Sequence, residues 1–281
     1  MIELQNYAVH VWINEVGAEV RRMTVDGTDV LWSGDAAVWS GVSPILFPIC
    51  SGMAGDVYTV GGKEYSMGKH GFARGMEFKA VERGSRFVSL RLTDTPETRK
   101  QYPWQFALTV TYRLHGKRLD VTYTVENKSD TAMYFSEGSH EGYACPEGIE
   151  EYDVIFEKEE TLSAYAIDGV RLKPNPTPML YRSRVFPLYE KYFKVDALVF
   201  NNLQSRSAAL RHRPTGREIT VDFPGCDYFL LWQKCGAKYI CMEPWCGICG
   251  TVGDGIAFEE KEGMICLLPG ERYERTHTVR A

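Results

Sequence analysis

The chain has 281 residues, a formal net charge of -5 and a pI near 5.8. Mild acidity gives no general attraction to phosphate backbones or anionic membranes, so neither nucleic acid nor a membrane is an expected partner. No apolar run approaches the roughly 18 residues that span a bilayer.

The opening Met1-Ile2-Glu3-Leu4-Gln5 lacks the charged and apolar regions of a secretory signal. With eight cysteines and no such signal, reduced thiols and a cytoplasmic location are expected. There is no internal repeat, linker or low-complexity stretch, which suits one domain over residues 1–281.

Turn punctuation begins early, at Asp26-Gly27, Gly61-Gly62 and Gly84-Ser85. Val88, Leu90 and Leu92 then alternate with Ser89, Arg91 and Thr93. Asp94 to Tyr102, with Pro96 near its start, reads as a short helix. Phe106, Leu108, Val110, Tyr112 and Leu114 alternate with polar or small neighbours. After a turn at Gly116-Lys117, Leu119, Val121, Tyr123 and Val125 do the same. These two runs read as a long antiparallel hairpin with one wet face.

Asn127 to Asp130 is a further turn, and Ala132 to Ser136 a further strand. The stretch from about 140 to 190 is the least regular, rich in Pro and Tyr, and reads as a long functional loop. Glu190 to Lys194 is a second short helix. Arg206, Arg211, His212, Arg213 and Arg217 surround the turn Pro214-Thr215-Gly216 and read as a solvated hairpin tip. Ile219, Val221 and Phe223 form another alternating run. Many short strands and no strand–helix–strand rhythm imply an all-β, largely antiparallel sandwich or barrel.

Three segments break the strand pattern, each placing a titratable group beside glycine or proline. In Lys69-His70-Gly71-Phe72-Ala73-Arg74, His70 fits a ligand-binding turn and a surface turn equally well. His140 follows a strand and sits between Gly138 and Gly142. An imidazole exposed there can give and take a proton near neutral pH, although alone it also fits a structural histidine satisfied by the backbone. Glu243 directly follows the apolar run Lys238 to Met242 and precedes Pro244, which is expected to end the ladder. Trp245 would wall the carboxylate, raise its pKa and improve it as a base, and an aromatic face also suits sugar C–H groups.

Cys246 and Cys249 form a C-x-x-C with Cys241 upstream, but no matching pair or metal-spaced histidines accompany them. No metal site is expected. Neither a phosphate-binding glycine loop nor a Gly-x-Ser-x-Gly elbow is present.

In this order, Gly17-Ala18-Glu19, Leu46-Phe47-Pro48-Ile49, Gly62-Lys63-Glu64-Tyr65, His70-Gly71-Phe72-Ala73-Arg74, Gly138-Ser139-His140, Trp232 and Glu243-Pro244-Trp245 span most of the chain. The set resembles the aldose 1-epimerase (galactose mutarotase-like) superfamily, nearest its LacX-like branch. The resemblance implies a β-supersandwich with an open sugar cleft and no cofactor. It implies anomer interconversion, with Glu243 taking the O1 proton and His140 donating to the ring oxygen. His70 would hydrogen-bond near the ring or anomeric oxygen. Arg74 and Asp196 would bind substrate.

Two departures bear on substrate choice. Met53 stands where many relatives carry arginine, and Glu141 follows the histidine in place of proline. A sugar-binding protein without catalysis is the alternative function. A glycoside hydrolase or lyase using Glu141 and Glu243 is a third, since hydrolysis wants two carboxylates across the bond. The sequence names neither the sugar nor the choice between monomer and homodimer.

Overall fold

The structure, a computed structural model, describes residues 1–251 and 257–281. Strands dominate, and nearly all pair antiparallel. One layer is built around the expected hairpin, in which Phe106–His115 faces Arg118–Asn127 at all ten positions. Phe87–Thr93 flanks the first of these strands and Arg272–Arg280 the second. Glu218–Asp222 and Ser207–His212 extend the layer to the long strand Tyr152–Asp168.

The other layer runs from Ile45–Leu46 through Gly138–Ser139 and Glu141–Ala144 to Tyr239–Trp245, Tyr228–Trp232 and Leu198–Phe200. The 17-residue strand Tyr152–Asp168 belongs to both layers. Its first half pairs with Ser207–His212, and Tyr165 and Ala166 pair with Leu198–Phe200. Register shifts between Ile155 and Ser163 supply the bend that one strand needs to serve two layers. A separate four-stranded sheet holds Ile2–Gln5, Val9–Ile13, Val20–Val25 and Thr28–Asp29.

Period-two alternation makes the core. Leu108, Val110, Tyr112, Val121, Tyr123 and Val125 are all buried, in register across the hairpin. The same hydrophobic cluster takes in residues from Ile2 to Val279. Met53 lies in that cluster too, so the methionine at this departure from the family pattern serves packing.

Two sequence expectations need correction. The irregular stretch holds two of the longest strands, Tyr152–Asp168 and Thr177–Pro187. Thr177–Pro187 is largely exposed, and Tyr152–Asp168 is bulged, so neither shows a clean alternation. Pro244 also does not end its ladder. The strand Tyr239–Trp245 continues through it, with Pro244 opposite Phe229. The helices are short, as expected: Pro96–Gln101, opened by a reciprocal Thr95–Thr98 cap, and the 3-10 turn Glu190–Phe193. No helix among the described residues is long and apolar enough to cross a membrane.

Candidate functional site

The site is built on two neighbouring strands. Gly138 stands opposite Trp245, and Glu141 opposite Met242. Counted inward from both ends, this one register sets His140 opposite Glu243. Directly opposed residues of an antiparallel pair project their side chains to the same face. Accordingly, His140 Nε2 lies 3.4 Å from Glu243 Oε2.

Alternation gives this segment two chemistries. Glu137, Ser139, Glu141 and Tyr143 are buried, and the two carboxylates turn to the opposite layer. There Glu137 is held bidentately by Arg275 and also accepts from Tyr273, while Glu141 meets His277 at 2.8 Å. His140 faces the other way. Glu141 therefore does not join Glu243 across a substrate bond.

The His140 imidazole is about seven-eighths covered, with 13% of its side chain exposed. It is less open than a histidine at a strand end was expected to be. Trp39 and Trp232, both half-buried, stand 5.3 and 5.5 Å from it. The His70 ring sits edge-on at 5.8 Å.

His70 is held in two ways. Its backbone N–H donates to the Ser51 carbonyl, and the Ser51 N–H donates to His70 Nδ1 at 3.1 Å. An accepting Nδ1 places the ring proton on Nε2, so His70 offers a donor. The residue takes φ +69°, a left-handed conformation that non-glycine residues adopt rarely and often at functional sites. Gly71 follows at φ +68°, where a Cβ would lie 2.2 Å from the Phe47 carbonyl oxygen. Only glycine allows that approach.

Burial governs the protonation of the pair. Both charged forms lose solvation. Glu243 is raised well above the usual carboxylate value by desolvation, and the charges of Glu141 and Asp196 add to this while Lys69 opposes. His140 is pushed down to about 3, chiefly by desolvation. His70 is lowered well below its ordinary value, by burial first and then by its cationic neighbours and His140.

The other expected residues are placed differently. Trp245 is 2% exposed. Its indole N–H donates to the Ser139 carbonyl at 3.1 Å, and its ring packs on His70. The open aromatic surface belongs instead to Trp39 and Trp232. Arg74 reaches back to the Lys69 carbonyl at 3.0 Å and braces the histidine loop. Asp196 is half-buried, and Oδ1 accepts from the Ala197 N–H.

Sequence reasoning missed Trp39, whose signal was an aromatic beside Ser40-Gly41 outside any strand. It also passed over Lys69, an exposed cation beside His70. Arg206, Arg211 and Arg213 at the basic turn each meet an aspartate or glutamate, in keeping with a solvated tip, but His212 is buried there with its ring 4.8 Å from that of Tyr152. A hollow of about 640 Å³ between Arg22, Trp32, Arg217 and Lys238 contains none of the expected site residues.

A profile of the aldose 1-epimerase family matches residues 1–280. The chromosomal LacX protein of Lactococcus lactis subsp. lactis is 29% identical over 293 residues, covering 99% of this chain and 98% of that protein. A galactose mutarotase-like protein from Lactobacillus casei is 27% identical, with a TM-score of 0.94 over 100% of this chain and 99% of its own. A galactose mutarotase related enzyme from Lactobacillus acidophilus is 27% identical, with a TM-score of 0.92 over 99% and 96%. The all-β, antiparallel architecture is that of these galactose mutarotase-like structures.

Proposed function

The chain belongs to the aldose 1-epimerase family, and on that premise we propose that it interconverts the α and β anomers of an aldose by acid–base ring opening. The observation that carries this reading is the cross-strand contact of His140 and Glu243 at 3.4 Å, flanked by Trp39 and Trp232. A sugar's O1 and ring oxygen share one carbon, so two proton-transfer groups this close can serve both.

Glu243 accepts the O1 proton while His140 protonates the ring oxygen. The C–O bond opens, the C1–C2 bond turns, and the reverse transfers close the ring on the other face. One proton shared by the pair suffices, because protonated Glu243 with neutral His140 and ionised Glu243 with protonated His140 differ only in its position. Burial favours the uncharged arrangement in the empty site. Hydrogen bonds from the incoming sugar stabilise the charged one, which performs the chemistry. Neutral His70, with its proton on Nε2, donates a hydrogen bond to the sugar, and the half-buried tryptophans cover its C–H face. Asp196 and Arg74 bind or frame peripheral hydroxyls. No step asks for a cofactor.

The test is anomer exchange followed by polarimetry or magnetisation transfer over a panel of free and phosphorylated aldoses. The expected result is acceleration for one sugar class, reduced about 10²–10⁴-fold by Glu243→Gln. Saturable binding with no acceleration for any sugar would instead make the protein a sugar binder.

A further inference from the structure

We propose that His140, Cys241 and Glu243 form a site for a thiophilic divalent cation, Zn²⁺ or Cd²⁺, whose occupancy silences anomer exchange. The binding stands on geometry alone; the silencing rests on the functional reading above.

Cys241 and Glu243 are two residues apart on the strand Tyr239–Trp245, so their side chains share one face. His140 reaches that face from the neighbouring strand. One donor atom from each of the three lies within 4.8 Å of the other two. Zinc bond lengths of about 2.0–2.3 Å at tetrahedral angles separate donors by roughly 3.3–3.7 Å. The His140–Glu243 pair already stands at 3.4 Å, so the thiol needs to close by only about an ångström to meet that geometry.

The donor set also suits the ion chemically. Sulfur, nitrogen and oxygen from three residues, with a fourth position left for water, is the pattern of an open zinc site. Charge balances: one dication with a thiolate, a carboxylate and a neutral imidazole sums to zero. That matters at Cys241 and Glu243, which are 0% and 1% exposed, because a buried net charge is costly. On binding, the thiol proton and the proton held between His140 and Glu243 pass to buffer, and metal–sulfur, metal–nitrogen and metal–oxygen bonds replace them.

Anomer exchange makes no use of Cys241, and among the described residues its thiol has no hydrogen-bond partner. The metal reaches the site past the partly exposed His140. Among the described residues His140 Nδ1 is buried without a partner, so the outer hydrogen bond that strengthens permanent metal sites is missing there. The site therefore binds reversibly, as a regulatory or inhibitory position.

The experiment titrates Cd²⁺ into the whole protein and into Cys241→Ser, following the ultraviolet absorption of cadmium–thiolate bonds. Anomer exchange is read in parallel against Zn²⁺, with a chelator added at the end. Because the chain has eight cysteines, the difference between the two proteins is the readout. Expected is a one-equivalent absorption difference. Exchange should fall at least tenfold in the parent and recover with chelator. Cys241→Ser should keep its metal-free rate within about twofold and need roughly 10–100-fold more Zn²⁺ for half inhibition. Cys241→Ala repeats the comparison with a side chain better suited to a buried wall.

Equal absorption in parent and both variants overturns the site. A clear absorption difference with unchanged exchange in the metal-loaded parent overturns the silencing. Absence of exchange for every sugar, even without metal, is a failure of the functional reading, and the absorption difference still decides the metal site.

Discussion

Two buried carboxylates, Glu137 and Glu243, sit within one layer of this protein and do opposite things. Glu137 is fully buried and Glu243 is 1% exposed, so desolvation pushes both pKa values up. Around Glu137 that push is overcome by the Arg275 charge, the Arg275 hydrogen bonds and donors from Cys246 and Tyr273, and the carboxyl ends below its ordinary value. Glu243 has a weakly basic histidine at 3.4 Å; the Lys69 charge and a Trp245 hydrogen bond fall short of offsetting burial, and desolvation wins. A permanent cation makes a buried carboxylate a structural pin. A neutral, titratable partner leaves it able to exchange a proton.

The comparison is broken most severely at the proposed proton-transfer pair. Glu243→Gln and His140→Ala should each lower anomer exchange by about 10²–10⁴-fold, while thermal melting stays within a few degrees of the parent. Loss of the fold in both, with exchange lost only in proportion, would reduce the pair to a packing role.

At the pin the effects invert. Arg275→Met leaves Glu137 buried without its counter-charge and should cost about 3–5 kcal/mol in denaturant unfolding. Replacing Glu137 and Arg275 together by leucine should recover part of that cost, because no charge is then stranded. Exchange per folded molecule should change little in either protein, and a large selective loss of exchange would contradict the division of labour.

The pin also sets an acid limit. The folded-state value of Glu137 lies below the ordinary 4.5, so its stabilisation is complete above that value. It is lost as pH falls through the lowered folded value, where protonation releases Arg275. Unfolding free energy followed from pH 6 downward should fall less steeply in Glu137→Gln than in the parent. Equal slopes would remove Glu137 from the acid transition.

The smallest effect is expected at the tryptophan beside His140. Trp39→Ala removes an aromatic face worth about 0.5–1.5 kcal/mol, so KM should rise several-fold with kcat nearly unchanged. A drop in kcat alone would place Trp39 on the orientation of His140 instead.

Much of this was legible in the chain. Phe106 to Leu114 and Leu119 to Val125 alternate cleanly because one face packs on the core and the other meets water, and the structure pairs them in full. The segments holding His70, His140 and Glu243 stood out because glycine and proline interrupt that alternation, and the structure brings all three together. Thr177–Pro187 was illegible because an exposed strand needs no hydrophobic period. Tyr152–Asp168 was illegible because bulges reset its period midway. Trp245 does stand against Glu243, but as a face for sugar it was misread, because its neighbours in sequence do not reveal that it is buried against His70.

The sequence by itself determined the strand periodicity and the family, and it singled out His70, His140 and Glu243 as candidates, because each is a local pattern of residue types. Only the tertiary structure decided the surroundings of each carboxylate. Glu137, Glu141 and Glu243 look alike as letters in apolar surroundings. What separates them is the face each occupies and whether Arg275, His277 or His140 waits across the gap, and that depends on strand register between segments more than a hundred residues apart.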